Sequence, residues 1–103
     1  MTKEEVSMIG FQVVAYSGEA RSKFLEAIKN EKNKGDREYT KQLVAEGTEK
    51  LNKAHNVQTE LLAAEADGED IELGFIFVHG QDHLMTTILL KDILENIFDI
   101  YAE

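Results

Sequence analysis

From Val6 onward the apolar residues return at helical spacing. Val6, Ile9, Val13, Tyr16, Ala20, Phe24 and Ile28 follow one another in steps of three and four, which draws one stripe along a long helix. Ahead of them Thr2-Lys3-Glu4-Glu5 has the form of a capping box, with Thr2 as N-cap and Glu5 reaching back. Gly10, Ser17 and Gly18 lower helix propensity and predict close approach of a neighbouring helix. Residues 30–35 (NEKNKG) break the pattern with a glycine suited to a helix C-terminus. Asp36 can then cap a second helix, whose buried side is marked by Tyr39, Leu43, Gly47, Leu51, Ala54, Gln58, Leu61 and Leu62. Asp67-Gly68 is a stop signal. Two long helices joined by so short a link predict an antiparallel hairpin.

The next stretch follows a different rhythm. Ile71, Leu73, Phe75 and Phe77 alternate, as in a strand, yet no second strand is available to pair with them. A lone strand would leave its backbone groups unsatisfied, so residues 71–78 are expected as an extended crossover. A third helix is expected from about His79 or Gly80 to about Tyr101. Its apolar residues spread round the circumference: Met85, Leu89 and Ile93 on one side, Leu84, Ile88 and Leu90 on others. Such a helix is buried on more than one side, and two helices of one chain cannot easily cover it. The expected architecture is an all-α, three-helix antiparallel bundle, one domain spanning residues 1–103, that associates with itself through its third helix.

Composition narrows the functional classes. The chain has no proline, cysteine or tryptophan. Long helices tolerate no internal proline, and without cysteine there is neither disulfide nor thiolate chemistry. A formal net charge of −9 argues against a nucleic-acid partner, whose phosphates need clustered Lys and Arg; it favours a protein with a basic surface. No apolar run approaches the roughly 18 residues of a membrane span, and no signal segment precedes the first helix. A cytoplasmic protein without membrane insertion is expected. The nucleotide loop G-x-x-x-x-G-K-[ST] is absent.

Candidate chemistry is concentrated in His79-Gly80-Gln81-Asp82-His83. On a helix, positions 79, 82 and 83 share one face. His79 at a helix start is suited to a neutral imidazole that accepts an anionic group; the plainer alternative is a capping or interfacial histidine. His83, one turn on, can orient His79. Asp82 continues the otherwise apolar face of Ile100, Ile97, Ile93, Leu89 and Thr86. If copies of that face met on an axis, their carboxylates would converge and favour a hard cation such as Mg2+; otherwise Asp82 is a solvated residue of the first turn. Gly80 is expected to leave room for a partner's backbone. Two other classes stay open: a metal-dependent hydrolase on His79, Asp82 and His83, and a structural helical adaptor. His55, in the second helix, is expected to be structural.

The run from His79 through Met85-Thr86-Thr87 to Lys91-Asp92 closely resembles the enzyme IIA component of the lactose/cellobiose phosphotransferase family. So do residues 10–23 (GFQVVAYSGEARSK) and 54–59 (AHNVQT). The resemblance covers essentially the whole chain and is nearest the lactose-specific members; residues 65–77 match least well. It implies a cytoplasmic homotrimer, a nine-helix bundle, with His79 as phosphorylated residue. It further implies Asp82 as the acid that shares one Mg2+ among three subunits, with Gln81 and His83 supporting the site. The implied partners are the phosphocarrier protein HPr as donor and a cysteine of a separate enzyme IIB as acceptor. The implied role is uptake of a β-galactoside or β-glucoside such as lactose.

Overall fold

The computed structural model describes residues 1–102 and contains three helices: α1 (Lys3–Lys32), α2 (Arg37–Ala66) and α3 (Phe75–Tyr101). Among the described residues there is no strand. The capping box forms as its sequence requires: Glu5 N–H donates to Thr2 Oγ1 at 3.2 Å and Thr2 N–H to Glu5 Oε1 at 3.1 Å. The α1–α2 turn differs in one detail from the expected glycine stop. Lys34, not Gly35, takes the left-handed conformation, with φ 57°. What Gly35 supplies is space, because a Cβ there would lie 1.9 Å from Asn30 Oδ1. The Asn30 amide uses that space to donate to Asp36 O and Thr40 Oγ1, each at 2.8 Å. Asp36 caps α2 through Glu38 N–H at 3.0 Å.

α1 is the central element. It packs along both α2 and α3, which meet each other only sparingly. Its buried stripe includes Val6, Val13, Ala20, Phe24 and Ala27, against Leu43, Leu51 and Ala54 of α2 and Leu84, Leu94 and Phe98 of α3. Burying a side chain of the Phe24 or Leu84 type contributes about 1.5–3 kcal/mol. Gly47 makes room for the Phe24 ring, which a Cβ would approach to 2.6 Å. Two positions expected to be buried in the second helix are exposed. Tyr39 lies on a flank, where its hydroxyl donates to Glu26 Oε1 at 2.7 Å. Leu62 sits near the end of α2, beyond the cover that α1 provides. Of the two glycines expected at close contacts in α1, Gly10 is at one and Gly18 is not, since a Cβ on Gly18 meets nothing within 4 Å.

The largest departure from expectation is the start of α3. The helix begins at Phe75, four residues before His79, with Gly74 as N-cap and no side-chain cap bond. Residues 71–74 have no regular structure, with Gly74 extended, but 75–78 are the first turn of the helix. A start without Ser, Thr, Asp or Asn carries no capping signal, and the alternation of Phe75 and Phe77 hides the change of period. Gly80 also has a different use from the one expected. It is buried against α1, where a Cβ would stand 3.0 Å from Gly10 O. The space is taken by this chain's own backbone, so Gly80 leaves nothing for a partner.

Facing away from α1 and α2, α3 carries a second stripe: Val78, Asp82, Met85, Leu89, Ile93, Asn96 and Ile100, all exposed. The five apolar members are between 40% and 71% exposed. The expected surplus of apolar surface on the third helix is therefore present and uncovered within one copy.

Candidate functional site

His79 lies in the second turn of α3, exposed, on the flank between the outward stripe and α1. Its amide already bonds within the helix, so the positive helix end expected to act on it is a full turn away; that effect is confined to the first turn. What positions the site instead is the glycine pair. Gly10 and Gly80 let the two backbones touch at this level, which sets the depth and rotation of the turn bearing the histidines.

His83 stands one turn further on. Its Nε2 is 3.2 Å from His79 Nε2, and the rings meet edge to face at 76° with centroids 4.5 Å apart. His83 Nδ1 is buried and has no hydrogen-bond partner. A buried N–H without an acceptor is costlier than a lone pair that lacks a donor. The favoured tautomer of His83 therefore carries its proton on Nε2 and donates to His79 Nε2. By the same logic His79 carries its proton on Nδ1 and presents a lone pair at Nε2. Thr87 Oγ1 donates to His83 O at 2.7 Å and Thr86 Oγ1 to Asp82 O at 2.8 Å, which ties down the backbone behind the pair.

The other candidate residues are distributed differently. Asp82 is on the outward stripe, and among the described residues no three His, Asp or Glu side chains converge to hold a metal within one copy. The hydrolase reading requires such a set. Gln81 points the opposite way from His79: its Oε1 accepts from Gln58 Nε2 of α2, while its own Nε2 is buried without a partner. Sequence reasoning places Gln58 on the buried stripe of α2, where it is the one amide, but does not foresee its contact with Gln81. His55 is exposed on α2, apart from the other two histidines. The surroundings are strongly acidic. Residues 54–90 contain seven Asp or Glu and no Lys or Arg. No helix among the described residues is long and apolar enough to cross a membrane.

Fold and site together define a small all-α protein that displays a histidine pair at its surface. Residues 8–102 match the family described as PTS system, lactose/cellobiose specific IIA subunit. The chain is 50% identical over 101 residues to the PTS system lactose-specific EIIA component of Streptococcus mutans, covering 98% of this chain and 96% of that one. It is 50% identical over 105 residues to the protein of the same description from Staphylococcus epidermidis, covering 100% and 98%. Among solved structures, PtcA from S. mutans superposes with a TM-score of 0.92 at 36% identity over the full length of both chains. The cellobiose-specific enzyme IIA of Bacillus anthracis gives 0.89 at 35% identity, covering 99% of this chain and 91% of that one. The chain belongs to the lactose/cellobiose IIA family of the phosphotransferase system, the phosphoryl carriers of sugar uptake.

Proposed function

We propose that His79 is the residue that carries the phosphoryl group, accepting it from phosphorylated HPr and passing it to a cysteine of enzyme IIB during uptake of a β-galactoside such as lactose, in the cytoplasm. The observation that supports this most directly is the His79–His83 pair: an exposed imidazole whose Nε2 lies 3.2 Å from His83 Nε2, with the His83 Nδ1 buried and without a partner. In the accepting step the His83 N–H leaves the His79 Nε2 lone pair for an oxygen of the incoming phosphoryl group, and the freed lone pair forms the new N–P bond. The donor's N–P bond breaks and its electron pair returns to the donor imidazole. In the passing step a cysteine thiolate forms the S–P bond and His79 Nε2 recovers its electron pair. Positioning and hydrogen bonding supply the catalysis, and the acid-rich residues 54–90 favour partners with basic surfaces.

The functional unit in this proposal is a homotrimer built on the outward stripe of α3. The steps along Val78, Asp82, Met85, Leu89, Ile93, Asn96 and Ile100 are four, three, four, four, three and four. That spacing averages close to the period of a straight helix, so a parallel neighbour can follow the stripe for its whole length. Asp82 then falls on the axis. One carboxylate per copy suits a hard cation that keeps several of its waters, and Asp82 of each subunit would hold Mg2+ there. The ion's contribution when bound is to neutralise the converging carboxylates. Incubation with phosphoenolpyruvate, enzyme I and HPr, followed by intact mass, tests the reading. One acid-labile phosphoryl group per chain, dependent on HPr and absent from His79→Ala, is the expected result; HPr-independent labelling, or none, overturns it.

A further inference from the structure

The outward stripe of α3 has the same order in both directions. Leu89 is its middle member. Met85 and Ile93 lie four residues to either side of it, Asp82 and Asn96 seven, and Val78 and Ile100 eleven. A strict heptad lacks this symmetry, because its alternating steps of three and four leave unequal distances on the two sides of any one member. Two consecutive steps of four at Leu89 create it here. The chemistry is symmetric as well. Apolar positions mirror apolar ones, and the two polar members, a carboxylate and a carboxamide, mirror each other. Every member of the stripe is exposed in one copy.

An antiparallel neighbour on a two-fold axis level with Leu89 therefore finds a match at every step. Val78 of each copy reaches Ile100 of the other, and Met85 reaches Ile93. Asp82, whose ionised carboxylate only accepts, reaches Asn96, whose amide NH2 donates; the pair forms twice in each association. A parallel assembly in register sets Asp82 against Asp82 instead, which calls for a cation or a proton. Long-range charge acts in the same sense. The acid-rich residues 54–90 belong to the histidine half of the molecule, whereas residues 29–41 at the other end carry five Lys or Arg against three Asp or Glu. Parallel copies gather the acid-rich halves, and an antiparallel pair sets each beside the more basic end of the other. We propose that the outward stripe of α3 is an interface of two kinds: in the absence of a divalent cation a second copy of this chain docks on it antiparallel, with Asp82 of each copy bonded to Asn96 of the other. A seam one helix wide belongs at the low end of specific interface sizes, so this dimer forms and dissociates with protein concentration. The trimer reading above supplies the cation-bound alternative; the two-fold pairing rests on the stripe and not on the phosphoryl chemistry.

Sedimentation velocity of the whole chain over a range of concentrations reads the stoichiometry: a monomer–dimer equilibrium is expected in chelator and the trimer in Mg2+. Disulfide trapping reads the orientation, since the chain has no cysteine of its own. Copies carrying Val78→Cys are mixed in chelator with tagged copies carrying Ile100→Cys and oxidised with diamide. Antiparallel pairing brings these two positions within the roughly 4.4–6.8 Å between Cα atoms that a disulfide spans, so the mixed product is expected and the Val78→Cys self-product is not. Leu89→Cys, on the two-fold axis, should link to itself. Asn96→Asp places carboxylate against carboxylate and should weaken the chelator dimer by about tenfold or more. Adding Asp82→Asn to the same chain rebuilds the pair in reverse and should restore the dimer. A defect that persists in this exchanged variant overturns the proposal. So does a Val78→Cys self-product in chelator, or a parent that stays monomeric or trimeric there. A dimer in chelator and Mg2+ alike supports the two-fold seam and removes the trimer reading. Parent protein that accepts no phosphoryl group removes the phosphocarrier reading and leaves the seam standing, which keeps the failures distinct.

Discussion

The imidazole pair works by what one nitrogen lacks. Because His83 Nδ1 is buried without a partner, His83 has one inexpensive tautomer, and that tautomer defines the reactive lone pair of His79. His79→Ala should keep the fold, since the side chain is exposed, and should accept no phosphoryl group in the intact-mass assay. His83→Ala should still accept, more slowly by about tenfold or more, because a charge-assisted hydrogen bond is lost and the attacking atom is kept. Complete loss of acceptance by His83→Ala would mean that the two histidines have exchanged roles. A second prediction concerns the capping carboxylate. The Thr2 backbone N–H holds the Glu5 carboxyl below its ordinary range, with the Thr2 hydroxyl adding to the effect. The folded value lies under the unfolded one, so this stabilisation is complete above the ordinary carboxylate range and is lost as the pH falls through the lowered value. The urea midpoint of Glu5→Gln should therefore fall less on acidification than that of the parent.

At the scale of elements, much of the architecture is legible from period alone. α1 and α2 announce themselves by a capping box, an Asp cap and a stripe that alternates with solvated positions. The beginning of α3 is not legible, for a physical reason: Gly74 has no side chain to signal a cap, and Phe75 to Val78 form a turn whose apolar content suits a strand equally well. The histidine cluster is visible as residues, but its partition is not. Helical spacing alone puts His79 and His83 on one face; only the register fixed by Gly10 and Gly80 shows that Gln81 then turns to α2. The glycines of α1 give opposite predictions. At Gly18 a Cβ would have nothing within 4 Å of it, so Gly18→Ala should gain the helix-propensity difference of about 0.8–1 kcal/mol. At Gly10 a Cβ would meet the Phe77 backbone at 2.9 Å. Backbone cannot yield as a side-chain tip does, and overpacking costs about 1–3 kcal/mol. Gly10→Ala should thus be a net loss, and it should slow transfer as well because it moves the turn that carries His79. Urea unfolding at fixed protein concentration would sort the two; a stabilised Gly10→Ala would refute the close approach of the two backbones.

At the scale of the whole molecule the outward stripe of α3 is the unfinished part of the structure. Met85, Leu89 and Ile100 are each more than half exposed, in a helix whose other face is fully engaged, and the proposed trimer covers them. Asp82 is the exception within that stripe. Gathering its copies on an axis places like charges together in a poorly hydrated setting, which is costly unless a cation or a proton intervenes. Replacing buried charge with apolar side chains of similar size is often neutral or stabilising, by about 1–4 kcal/mol in favourable cases. Asp82→Leu should consequently remain trimeric in the presence of chelator and melt no lower there than the parent, whose assembly should weaken as the divalent cation is removed. Phosphoryl acceptance at His79 should largely survive the substitution, because in the proposed trimer Asp82 faces the axis and the imidazole pair faces the outer groove. Sedimentation in chelator followed by the transfer assay separates the possibilities. A monomeric Asp82→Leu would contradict the assignment of the stripe as the interface; a trimer that folds yet accepts nothing would place the carboxylate, and whatever it holds, in the chemistry.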